Sequence, residues 1–95
     1  MSKRSISLDR LNEVHSFPGT YVFKVIGTNT EEFIDGVVEA TLEVVGEDAE
    51  REVSTRESSG GKHVSVTVSV QVEDAEAVLE VYDEFKELDE VHLIL

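Results

Sequence analysis

The stretch "HVSVTVSVQV", residues 63–72, alternates without a fault. Val64, Val66, Val68, Val70 and Val72 fall on one side; Ser65, Thr67, Ser69 and Gln71 fall on the other. Successive side chains of a strand point to opposite faces, so the pattern predicts a strand with one dry side and one wet side. A dry side needs a cover, and the flanking segments supply it. Downstream, "EDAEAVLEVYDEFKEL" (73–88) sets Ala75, Val78, Leu79, Tyr82 and Phe85 at helical spacing behind Asp74, a capping residue. "VHLIL" (91–95) then reads as a short apolar strand.

Upstream, "EREVSTRE" (50–57) is a weak, highly charged strand of the kind that guards an exposed sheet edge. Before it, "TNTEEFIDGVVEATLEVVG" (28–46) repeats Phe33, Ile34, Val37, Val38, Thr41, Val44 and Val45 at helical spacing. Asn29 with Glu32 matches a capping box, Gly46 closes the helix, and Gly36 within it points to close packing. "TYVFKVIG" (20–27) is rich in β-branched and aromatic residues and apolar on both sides except at Lys24, as a central strand is. The order is β-α-β-β-α-β. Two right-handed crossovers favour a ferredoxin-like α+β sandwich: four antiparallel strands in the order fourth, first, third, second, with both helices on one face. Residues 1–95 form a single domain, with 1–16 a peripheral segment and 17–95 the core. In the peripheral segment "SLDRLNEV" (7–14) reads as a short helix capped by Ser7, with Leu8, Leu11 and Val14 on one side.

Composition narrows the chemistry. The chain has no cysteine, which removes disulfides, thiolate metal sites and cysteine nucleophiles. No apolar run approaches the ~20 residues that span a bilayer. The start "MSKRSISLDRL" lacks the apolar stretch of a secretory signal, so a cytoplasmic location is expected. Twenty-one acids face eight bases, a formal net charge of −13, which repels phosphate backbones and anionic membranes. Neither nucleic acid nor membrane is an expected partner. Heavy acid with little lysine suits a cationic partner, plain solubility or a salty cytoplasm.

The turn "SSGGKH" (58–63) joins two strands with no helix after it, so it lacks the helix N-terminus of a phosphate loop. His15, His63 and His92 show no metal-ligand spacing, and no G-x-S-x-G elbow is present. Acid pairs such as Glu31/Glu32 and Glu73/Asp74 sit where helix dipoles favour them. The wet face offers serine and threonine rather than the aromatics of an RNA-binding sheet. The turn therefore reads as a hairpin bend, with positive φ at Gly60 and Gly61 and local hydrogen bonds from Ser58 and Ser59. No enzyme activity, cofactor or metal is expected.

Three phrases in combination, "FPGTYVFKVIG" (17–27), "SSGGKHVSVTVSV" (58–70) and "YDEFKELDEVHLIL" (82–95), resemble the YbeD-like family of small bacterial proteins of unknown function. The matching positions are Phe17, Pro18, Tyr21, Lys24, Gly27, Ser58, Ser59, Gly61, His63 and Ser65. His63 stands where tyrosine is more usual in the family. "GEDAEREVSTRE" (46–57) departs most and is unusually acidic. The family is similar in fold to the small-molecule-sensing ACT domains that regulate metabolic enzymes. The resemblance thus implies a non-catalytic regulatory or binding module, with a small metabolite near the hairpin turn or at a subunit interface. The other reading is a protein-interaction domain, docking through the open sheet face or the last strand, with a homodimer as one outcome. Expected contact residues are Ser58, Ser59, Gly61, Lys62 and His63 at the turn, with Lys24, His92 and Ile94 on the open face and last strand.

Overall fold

The computed structural model describes residues 7–95. The basic start of the chain, with Lys3 and Arg4, lies outside the described residues. Seven elements follow in order: α1 (Leu8–Val14), β1 (Gly19–Thr28), α2 (Glu31–Val45), β2 (Arg51–Glu57), β3 (His63–Val72), α3 (Ala75–Lys86) and β4 (Val91–Ile94). The four strands form one antiparallel sheet in the order β2-β3-β1-β4, the ferredoxin-like order that the crossovers predict. Phe17–Pro18, which leads into β1, is a cis peptide.

The alternation of β3 is realised residue by residue. Val64, Val66, Val68, Val70 and Val72 are all buried, while the residues between them are not. Antiparallel pairing sets Tyr21, Phe23 and Val25 opposite Val70, Val68 and Val66. The same face therefore receives the aromatic residues of β1. Phe33, Val37 and Ala40 of α2 and Val78, Leu79, Val81 and Phe85 of α3 close over them. Burial of each valine, leucine or phenylalanine among them contributes roughly 1.5–3 kcal/mol. Phe23 meets Phe85 and Tyr82 edge-on, at centroid distances of 5.7 and 5.4 Å. Thr41, buried in α2, donates its hydroxyl to the Val37 carbonyl at 2.9 Å, so burial leaves it bonded.

Four details differ from the sequence reading. Leu11 is 1% exposed and belongs to the core, and α1 packs on α3. The segment assigned to the periphery thus adds a third helix that anchors in the domain. The cap of α2 is Thr30, whose hydroxyl accepts from the Phe33 N–H at 3.1 Å. Asn29 is taken up elsewhere: its backbone N–H donates to the Lys62 carbonyl and its side-chain amide to the Gly61 carbonyl, at 3.1 and 3.0 Å. Only Gly61 of the hairpin pair has positive φ, +73°. Finally, the crowded glycine is Gly27 rather than Gly36. A Cβ on Gly27 would strike the Phe33 ring and the Glu90 carbonyl, whereas one on Gly36 would lie 3.4 Å from Leu88 Cδ2.

Candidate functional site

Among the described residues, no element covers the wet face of the sheet. The register places Lys24 opposite Thr67, and Ser65 between Ile26 and Arg56. These residues share one face across three strands. At one end of that face lies an open groove of about 300 Å³, lined by Lys24, Ile26, Arg56, Ser58, His63 and Ser65, with Glu57 the one acid among its lining residues. Lys24, Ser58 and His63, singled out by sequence from two separate segments, come together here. Arg56 and Ser65 complete the polar lining. In the sequence Arg56 is only edge charge; the β2–β3 register brings it to the groove.

The hairpin that bounds the groove is a tied structure. Ser58 N–H donates to the His63 carbonyl at 2.9 Å, His63 N–H donates to Ser58 Oγ at 3.2 Å, and Gly61 N–H donates to the Ser58 carbonyl at 2.9 Å. With the Asn29 bonds, the tip is fastened to the β1–α2 connection. Ser58 and Gly61 therefore shape the turn. Ser59 and Lys62 stand exposed on it, away from the groove lining.

Two histidines far apart in sequence become neighbours. The His63 and His92 rings meet edge-on, with centroids 4.4 Å apart. A register shift between Ile26 and Gly27 reaims β4 at this point, and Glu90, at φ +70°, immediately precedes it. Among the described residues no three histidine or acidic side chains gather as a metal set. The same register corrects Ile94. It stands opposite Val25, on the helix side, packed against the core. The open face carries Leu93 instead, opposite Ile26, and Val22 lies four residues along β1 on the same face; these two are 50% and 56% exposed. A shift of one residue turns every side chain over, and the bulge could not be read from "VHLIL".

One hydroxyl is perturbed. Tyr82 is held above its ordinary pKa, first by burial and then by its 3.1 Å hydrogen bond with Tyr21. This pair lies in the core layer, where it positions aromatic rings.

Residues 12–95 match a family model described as a protein of unknown function, DUF493. This chain belongs to that family. DUF493 relatives include a UPF0250 protein of Klebsiella pneumoniae subsp. pneumoniae and the UPF0250 protein YbeD of Escherichia coli O1:K1 / APEC. Each is 31% identical over 86 residues, spanning 90% of this chain and 97% of the relative. The YbeD-like resemblance is thereby shown. Among solved structures, protein HP0495 of H. pylori is similar at a TM-score of 0.64 and 19% identity, over 98% of both chains. The ACT domain from the GTP pyrophosphokinase of Chlorobium tepidum is similar at 0.61 and 6% identity, over 80% of this chain and 94% of that one. At such identities the likeness concerns the fold, which is ACT-like. No helix among the described residues is long and apolar enough to cross a membrane.

Proposed function

We propose that this DUF493 protein is a non-catalytic regulatory module that binds a small metabolite in the open-face groove. The observation that carries the reading is convergence: Lys24, Arg56, Ser58, His63 and Ser65 line one groove on an otherwise solvent-facing sheet. The cations and hydroxyls are suited to hold a polar ligand, while Ile26 supplies apolar contact. The ACT-like fold is consistent with a sensing role. A thermal-shift screen against amino acids and central metabolites tests it. A compound that raises the Tm of the protein, and fails to do so for Lys24→Ala, supports the site; silence across the screen rejects it.

A second reading has its own observation. Val22, Leu93 and Leu95 are each at least half exposed, and among the described residues the strand that bears Leu93 has no neighbour on its outer side and no acidic or lysine guard. This edge fits a protein partner, and a second copy meets it with the least repulsion, because β4 contributes no carboxylate. Light scattering on a sizing column at low and high salt is the check. Dimer is expected at high salt, and Leu93→Lys should abolish it; a strict monomer at every concentration and salt leaves only a foreign partner for the strand.

A further inference from the structure

Charge in this protein is segregated by layer. α2 carries five acids and no base, and α3 carries four acids with Lys86 as its one base. The open face runs the other way. Its charged strand positions are Lys24, Arg56 and Glu52, and Glu52 pairs with Ser69, four residues along β3 from the Ser65 that faces Arg56. The other described arginines are engaged: Arg51 donates to the Glu47 and Ala49 carbonyls, and Arg10 pairs with Glu13. The side chains of Lys24 and Arg56 have no ion-pair or hydrogen-bond partner among the described residues. In a chain of twenty-one acids, two unpaired cations lining the same groove are a specific arrangement.

From this arrangement we infer that the groove takes a small organic anion with two acidic groups, one held by Lys24 and one by Arg56. The inference rests on the metabolite-binding reading above and adds the ligand's class. Lys24 and Arg56 stand on the strands either side of β3, their backbones roughly 10 Å apart across the sheet, so two acidic groups on a short carbon spacer let each extended cation hold its own partner. Ser65 lies between them, and Ile26 gives the spacer an apolar contact. Arg56 presents a planar fork that matches carboxylate or phosphate; Lys24 supplies a point charge. The acidic helices lie on the opposite face of the sheet, so their field reaches the groove weakened by distance and salt.

The test is amide-resonance titration of the labelled full chain with glutarate, phosphoglycolate, inorganic phosphate and the neutral glutaramide. Glutarate or phosphoglycolate should shift the amides of 24–26 and 56–65 with millimolar Kd, and the tighter of the two tells carboxylate from phosphate as the preferred end. Arg56→Gln and Lys24→Gln should each weaken that binding roughly tenfold, as loss of a charge-assisted hydrogen bond does. Both residues are exposed, so the fold survives these changes. Lys86→Gln alters net charge equally on the helical layer and should change Kd less than about twofold. Equal binding of glutaramide, or equal weakening by Lys86→Gln, overturns the anion inference while the metabolite reading stands. Inorganic phosphate binding as tightly as the organic probes removes the need for a spacer and overturns it too. If neither these probes nor any metabolite of the thermal screen perturbs the groove, both readings fall.

Discussion

Single residues decide where the chain can approach itself. Gly27 lets the Phe33 ring and the Glu90 carbonyl close on β1, so Gly27→Ala should cost about 1–3 kcal/mol through overpacking. Gly36 has no such constraint. Gly36→Ala should leave stability level or raise it by up to ~1 kcal/mol, since alanine is the better helix former. Denaturant titration of the two variants gives opposite signs on this account; equal losses would show that α2 packs more tightly at Gly36 than its surroundings indicate. Tyr82 makes a pH prediction. Its phenol is raised above the ordinary value of 10.0, chiefly by burial, so the folded state favours the neutral form. The contribution is fully present below pH 10, and is lost as pH rises above that value toward the raised folded one. Unfolding midpoints compared at about pH 8 and about pH 11 should fall more for the wild type than for Tyr82→Phe. An identical fall in both would show that the hydroxyl is not responsible.

Among the elements, β3 carries the clearest division of labour. Val68→Asp should unfold the domain, because it buries a charge with no partner. Ser69→Asp faces solvent on the open side and should cost little. Circular dichroism melts distinguish them, and matching losses would mean that the faces are wrongly assigned. β2 behaves as its charge foretells: all seven of its residues are exposed, including Val53 at 42%. The α2 cap shows how one element borrows from another. Two residues, Asn29 and Thr30, could each cap the helix, and the hairpin tip takes the first. The choice follows from the β2–β3 turn lying against the β1–α2 connection, a contact between segments about thirty positions apart in the chain.

For the whole molecule the governing quantity is the charge of −13. The acids of α2 and α3 share one layer, so repulsion between them opposes folding at low ionic strength. Screening lengths fall from about 10 Å at 0.1 M salt to about 3 Å at 1 M. The Tm should therefore climb as NaCl rises from low to molar levels. A melt indifferent to salt over the lower part of that range would remove self-repulsion, and with it the salty-cytoplasm reading, as an account of the acids.

The sequence alone determined the seven elements' kinds and the sheet order, because both rest on local periodicity and on chain-crossing rules. The 63–72 alternation, the two apolar helical stripes and the charged 50–57 strand needed no tertiary information. Half of the candidate site was legible in the same way: Lys24, Ser58 and His63 stood out as polar residues in or beside strands. What only the tertiary structure decided was everything set by register. Arg56 enters the groove because β2 pairs with β3 at Ser65; His92 meets His63, and Leu93 replaces Ile94 on the open face, because β4 is bulged against β1. Side chains alternate with a period of two along a strand, so a single inserted residue changes which of them face a ligand while leaving the pattern of the sequence untouched.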